Sequence, residues 1–258
     1  MKVVIFAGGL GTRISEESYL KPKPMIEIGE KPILWHIMKI FSSQGFNDFI
    51  ICLGYKGYII KEYFFNYYLH NSDLTIELKN NTVNVHNSNA EDFKVTLVDT
   101  GLNTKTAGRL QRIREHLGEE DFMLTYGDGV ADVDLKKLLL FHQSHNRVAT
   151  VTAIQPVGRF GVMQIQKDNS VELFKEKSKD DEGWINGGFF VLKPEVFNYL
   201  PENSEDIMWE DLPIQKLAKN NQLVAYQHRG FWKCMDALRD KIELEEIWNS
   251  GKAKWKTW

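Results

Sequence analysis

Gly8, Gly9, Leu10, Gly11, Thr12 and Arg13 follow directly on an apolar run at residues 3–7. Glycines in such a place let the backbone approach an anion closely and turn its N–H groups toward it. Arg13 adds a planar, forked cation suited to phosphate oxygens. Shortly afterwards comes Lys21-Pro22-Lys23-Pro24. Each proline fixes its own φ and restricts the residue before it, so Lys23 projects from a stiffened segment and loses less entropy on holding a phosphate. Two familiar phosphate loops are excluded. A Walker A loop needs Gly-Lys-Ser/Thr, and a dinucleotide fingerprint starting at Gly9 needs a small residue where Ile14 stands. Taken singly, the glycines read as a tight turn and the tetrapeptide as a solvated loop. Their succession favours an anion pocket.

Asp128 stands between Gly127 and Gly129 at the end of the apolar run 122–126. Ligands of an open α/β sheet collect beyond the carboxyl ends of its strands. A carboxylate there suits Mg²⁺, which keeps several waters and takes one or two protein oxygens. Asp132 and Asp134 compete on spacing, and Asp128 also reads as a turn residue. On their own, Lys175-Glu176-Lys177 is a solvated charge run, Asn186 a turn residue and Arg109 a helix-surface cation. His142 and His145 sit three apart with no third ligand nearby, the pattern of a helix surface. The aromatic run Tyr63, Phe64, Phe65, Tyr67 and Tyr68 reads as core or subunit interface.

These groups need a scaffold. Runs at 3–7, 49–53, 95–98 and 122–126 have the continuous apolar character of strands buried on both faces. Helical spacing appears between them, at Ile33, Leu34, Ile37, Met38 and Phe41, over 59–68, and at Ala107, Leu110, Ile113 and Leu117; Gly45 stands where a helix C′ residue is expected. The alternation predicts an α/β fold with a Rossmann-like, mostly parallel or mixed sheet flanked by helices. Beyond residue 130 the pattern becomes β-rich, with strands expected at 148–154, 162–165, 171–174 and 189–192 and helices at 194–199, 211–219 and 238–249. Residues 80–89, rich in Asn, read as a loop or hairpin end. One domain over 1–258 is expected, with a nucleotide half to about residue 130.

The formal net charge of −3 argues against a nucleic-acid partner. Cys52 and Cys234 lie far apart and form no Cys-x-x-Cys pair, which points to a reducing compartment. No apolar stretch approaches the ~20 residues a bilayer requires, nor is there a secretory leader, so no membrane partner and a cytoplasmic location are expected.

With the glycine turn and the Lys-Pro-Lys-Pro segment in hand, the chain resembles the sugar-nucleotide pyrophosphorylases. Further stretches resemble their glucose-1-phosphate cytidylyltransferase subgroup: 31–36, 54–58, 125–132, 158–161, 185–190 and the terminal Trp255-Lys256-Thr257-Trp258. That resemblance implies transfer of a cytidylyl group from CTP to glucose 1-phosphate, giving CDP-glucose and pyrophosphate with Mg²⁺. It places the nucleotide on Phe6, Ala7, Gly8, Gly9, Leu10, Gly11, Thr12, Arg13, Lys23, Thr104 and Arg109. Arg13 and Lys23 would act on the departing pyrophosphate. Glu176, Lys177, Asn186 and Gly187 would hold the sugar phosphate, and the metal would sit on Asp128 and Asp236. Ser178 and Cys234 depart from the Pro usual in relatives. The resemblance further implies a homohexamer and a place in making dideoxy sugars of surface polysaccharide. Alternatives at this point are the same reaction with dTTP or UTP, a non-catalytic nucleotide-binding module, and a structural assembly protein.

Overall fold

A computed structural model of the chain describes residues 1–155, 162–165, 170–175 and 183–258. Its framework is a seven-stranded sheet. The first half supplies β1 (Lys2–Ala7), β2 (Asp48–Leu53), β5 (Lys94–Asp99) and β6 (Phe122–Tyr126). The second half supplies β8 (Ala149–Ile154), β11 (Ile185–Leu192) and β12 (Leu223–His228). In the order β12-β8-β11-β6-β1-β2-β5, only β11 runs against its neighbours. The expected mixed sheet is therefore present, and the carboxyl ends of β1, β2, β5 and β6 share one edge.

Strand alternation distributes the core to both faces. Val3, Ile5 and Ala7 face one cluster, with Ile37, Met38 and Phe41 of α1 (Ile33–Ser42). Val4 and Phe6 face the other, with Ala107 and Leu110 of α3 (Thr106–Arg112). All five strand residues are at most 7% exposed, and burying the Val, Ile and Phe side chains contributes roughly 1.5–3 kcal/mol each. α1 ends as expected. Gly45 adopts φ 95°, and the Phe46 N–H turns back to the Phe41 carbonyl at 3.1 Å.

Some elements differ from expectation. The helix read through Leu117 breaks at Ile113, whose N–H takes the three-residue step to Leu110 O; a short helix, Arg114–Leu117, follows. Ile113 and Leu117 thereby stay in the core. Residues 80–89 agree with their reading as a hairpin end: after α2 (Gly57–His70), β3 (Ser72–Glu77) pairs with β4 (Thr82–Ser88), turned through Asn81 at φ 51°. A small ribbon escaped the sequence reading: β7 (Gly129–Ala131) pairs antiparallel with β13 (Trp232–Cys234). Edge strand β12 also went unread, although it opens on the short apolar run Leu223-Val224-Ala225-Tyr226. Further elements include α4 (Leu135–Gln143), the two-stranded β9 (Val162–Ile165) and β10 (Val171–Lys175), α5 (Leu212–Lys219) and α6 (Leu238–Asn249). Among the described residues, no helix is long and apolar enough to cross a membrane.

The terminal tryptophans dock on their own chain. Trp255 stacks on Phe231 at 5.3 Å and on Trp248 at 6.3 Å, and Trp258 meets Trp35 edge-on at 5.7 Å. His36 lies at their centre, 1% exposed. Its Nε2–H donates to Ile28 O at 2.7 Å, while Nδ1 faces the Trp255 indole N–H at 3.5 Å. This neutral tautomer satisfies both ring nitrogens without a charge.

Candidate active site at the carboxyl edge of the sheet

β1 runs out at Ala7, and the glycine turn begins over the shared edge. Gly8 is glycine because of what lies beneath it: a Cβ there would stand 2.2 Å from Arg109 Nη1. Gly54, after β2, has the same constraint, with Gly8 O at 2.6 Å and Arg109 Nη1 at 2.7 Å from a Cβ. Arg109 is 4% exposed, so its sequence reading as a helix-surface cation is corrected. Its guanidinium donates to Leu53 O (2.9 Å), Thr100 Oγ1 (2.7 Å), Gly101 O (2.9 Å) and Gly8 O (3.0 Å). One side chain thus ties together the segments that follow β1, β2 and β5. Thr104, 8% exposed, packs against Gly101 and Gly108 in the same region.

Above this base the turn is open. Gly9 and Leu10 are exposed, and the N–H groups of Gly9, Leu10 and Gly11 donate to no acceptor among the described residues. Gly11 adopts φ 65°, a left-handed conformation glycine takes without strain, and its carbonyl accepts from Ser18 Oγ at 2.9 Å. Phe6 and Ala7 are buried in β1 beneath the turn, and Thr12 and Arg13 open the following 3₁₀ turn.

Lys23 comes next to this turn, its Cβ 3.3 Å from where a Gly11 Cβ would stand. The ammonium lies 2.6 Å from Asp128 Oδ2 and 2.8 Å from Asp236 Oδ1. Arg13 Nη1 closes on Asp236 Oδ2 at 3.1 Å from a side chain that is 74% exposed. Two aspartates over a hundred residues apart meet because the β7–β13 ribbon joins the segments that carry them. Met235 N–H bonds to Asp128 O at 2.8 Å, which fixes Asp236 beside Asp128. Asp240 then accepts from the N–H groups of Asp236 (3.1 Å) and Ala237 (2.9 Å) at the start of α6.

Charge complementarity governs this cluster. Burial works against the Lys23 ammonium, yet Asp128 and Asp236 outweigh it and hold its pKa above the ordinary lysine value. Burial likewise opposes ionisation of Asp236, but Lys23 and Arg13 prevail and hold its pKa below the ordinary value. Burial and the two carboxylates push the Cys234 thiol up to about 12, so it stays protonated and is no nucleophile. Both aspartates aim oxygen at one cation position. That hard-oxygen donor pair suits a divalent ion completing its shell with water and phosphate.

Beside the cluster lies a cavity of about 190 Å³, lined among others by Arg13, Tyr126, Asp128, Asn186 and Asp236. Asn186 is held by two contacts: its Nδ2 donates to Tyr126 Oη at 3.2 Å, and its Oδ1 accepts from Gly188 N–H at 2.8 Å. Burial, reinforced by Glu210, pushes the Tyr126 phenol well above its ordinary pKa, so it remains neutral. Gly187 O accepts from the Trp232 indole at 2.7 Å. Glu176 and Lys177 lie outside the described residues.

The competing candidates have structural roles. Asp132 accepts from Phe231 N–H at 2.6 Å and pairs with His228 at 3.0 Å, while Asp134 caps α4 through Lys137 N–H at 2.9 Å. His142 is fully buried, which corrects its reading as helix surface; it shares Thr150 Oγ1 with His145 at 2.7 and 2.9 Å. Tyr126, Gly54, Ser18 and Trp232 were not singled out as site-builders in the sequence. Gly54 and Tyr126 carried a signal, in the stretches 54–58 and 125–132.

Comparison with known proteins agrees with this arrangement. A family described as Nucleotidyl transferase matches residues 2–246. Over the full length of both proteins the chain is 54% identical to a glucose-1-phosphate cytidylyltransferase of Salmonella typhi. It is 26% identical to a mannose-1-phosphate guanyltransferase of Saccharomyces cerevisiae, covering 98% of this chain and 66% of that one. A UDP-glucose pyrophosphorylase solved with UDP-glucose superposes with a TM-score of 0.68 at 19% identity, covering 97% of this chain and 98% of that one, which is a likeness of fold. The chain therefore belongs to the nucleotidyl transferase family, among its glucose-1-phosphate cytidylyltransferases.

Proposed function

We propose that the chain transfers the cytidylyl group of CTP to α-D-glucose 1-phosphate, forming CDP-glucose and releasing pyrophosphate. The observation that carries this reading is the convergence of Lys23, Arg13, Asp128 and Asp236 beside an open glycine turn. Full-length identity of 54% to a cytidylyltransferase, against 26% to a guanyltransferase acting on mannose 1-phosphate, supports the choice of base and sugar.

On this reading a phosphate oxygen of glucose 1-phosphate attacks the α-phosphorus of CTP in line, and pyrophosphate leaves. The attacking group is already ionised near neutral pH, so no general base is required. Catalysis rests on positioning and charge stabilisation. The N–H groups of the turn, without a partner among the described residues, hold the triphosphate. Arg13 and Lys23 neutralise charge on the leaving pyrophosphate. Asn186 and Gly187 line the sugar side, and Glu176 and Lys177 are assigned there by resemblance. Asp128 and Asp236 would hold Mg²⁺, which when bound supplies Lewis-acid charge neutralisation at the phosphates. Thr104 and Arg109 are assigned to the nucleotide site through the shape they give the turn.

Pyrophosphate release measured with glucose 1-phosphate and each of CTP, dTTP, UTP and ATP, with and without Mg²⁺, tests the proposal. CTP and Mg²⁺ together should give the largest rate. A larger rate with dTTP or UTP would reassign the base, and full activity without a divalent ion would remove the metal role. We also infer a homo-oligomer, a hexamer by resemblance. It is supported by the uncovered apolar residues Phe65 (87% exposed) on α2 and Leu78 (88% exposed) at the β3–β4 turn. Light scattering giving a monomeric mass would refute it.

A further inference from the structure

The position between Asp128 and Asp236 is filled by the chain's own cation. Lys23 Nζ reaches both carboxylates within 2.8 Å, and its side chain is only 12% exposed. A divalent ion aimed at the same two oxygens meets a like charge already in place. Lys23 also has a second destination. Its Cβ lies beside Gly11, in the turn whose N–H groups at Gly9, Leu10 and Gly11 have no partner among the described residues. Pro22 and Pro24 fix the backbone on either side, so the four-carbon arm can rotate between carboxylates and turn without moving the chain.

Resting on the nucleotide and metal roles proposed above, we propose that Lys23 is an exchangeable counter-ion. It occupies the carboxylate pair in the ligand-free protein and swings to the triphosphate when nucleotide arrives, vacating the place a divalent ion takes. Metal and nucleotide binding are then coupled through one side chain. By linkage, each raises the affinity for the other by the same factor. Arg13 plays a different part, since its side chain is 74% exposed and its charge is screened by water.

The test uses the full-length protein without nucleotide, with Mn²⁺ as probe and free ion read by electron paramagnetic resonance. Wild type should bind Mn²⁺ weakly. Lys23→Met should bind it tighter by on the order of tenfold or more, the usual scale of such couplings. Lys23→Arg keeps the cation and should behave as wild type, and Arg13→Met should shift affinity by less than about threefold because its charge is screened. Adding Asp128→Asn to Lys23→Met should abolish the gain. Thermal melting gives a second readout: Mn²⁺ should stabilise Lys23→Met far more than wild type. Should Lys23→Met fold poorly alone, recovery of folding on adding Mn²⁺ supports the proposal, and no recovery overturns it. The proposal is also overturned if Lys23→Met binds no tighter than wild type, or if Lys23→Arg or Arg13→Met gains as much. Failure of the catalytic assignment would appear instead as no pyrophosphate release from CTP by wild type, whatever the Mn²⁺ titrations give.

Discussion

Replacing Arg109 separates a residue that shapes the glycine turn, proposed above to hold the nucleotide, from one that touches the nucleotide. Arg109→Met keeps an unbranched apolar stem, loses the guanidinium and removes four hydrogen bonds of 3.0 Å or shorter. Bonds to a charged donor are worth about 1.5–3 kcal/mol each, so a simple sum would exceed about 6 kcal/mol. The structure argues for less. Leu53 O also accepts from Thr100 N and Oγ1, and Gly8 O also accepts from Tyr55 N, so these carbonyls stay paired. Among the described residues, Gly101 O and Leu102 O, the latter bonded at 3.4 Å, lose their sole donor. No carboxylate is bonded to the guanidinium either, so removing it relieves the burial of a charge. The expected cost is about 3 kcal/mol, roughly 6–12 °C in Tm for a chain of this size. Urea unfolding of the ligand-free protein measures it, with CTP binding followed in parallel. Arg109→Lys should recover less than half, because an ammonium cannot span the same acceptors. If Arg109→Met retained wild-type stability within about 0.5 kcal/mol while losing CTP affinity, the argument that Arg109 acts from beneath the turn would be refuted.

Lys23→Ala, Arg13→Ala and Asp236→Asn should each lower turnover by about 10²–10³, the usual worth of one positioned charge, with unchanged circular dichroism. Near-normal turnover in all three would dismiss the assigned roles. Gly54→Ala puts a methyl 2.6 Å from Gly8 O, so the turn must shift; CTP affinity should fall by on the order of tenfold, read by calorimetry. Burial, aided by Lys256, pushes the pKa of His36 down to about 4, from an ordinary imidazole value of 6.5. The unfolded chain therefore binds this proton more readily. The stability contribution is complete above pH 6.5 and is lost as pH falls through that value toward 4, by about 3 kcal/mol in all. His36→Gln should flatten the acid limb of stability by about one proton; an unchanged slope would show that another group, such as His142, carries it.

Much of the scaffold was legible because its signals are local. β1, β2, β5 and β6 are continuous apolar runs, and the period of α1 names its buried face. The turn and Lys23 could be read for the same reason, since a glycine sequence and two prolines act on the backbone next to them. What escaped depends on contacts distant in sequence. The reason for Gly8 is a guanidinium 101 residues away, and a helix pattern alone put that arginine on the surface. Asp236 is one carboxylate among many until the β7–β13 ribbon is known, and a three-residue strand leaves almost no periodicity. His142 looked external because spacing gave it no third ligand nearby, whereas its ring is enclosed beside Thr150, a partner on another element.

The ribbon also sets when the site can exist. Strands β1, β2, β5 and β6, the glycine turn and Lys23 are all encoded before residue 130, whereas the strand that delivers the second carboxylate is among the last elements of the chain. A growing or nicked polypeptide that stops ahead of Trp232 has the glycine turn proposed to bind the triphosphate but faces it with a single aspartate. Incomplete products should therefore sequester nucleotide at most, and never turn it over.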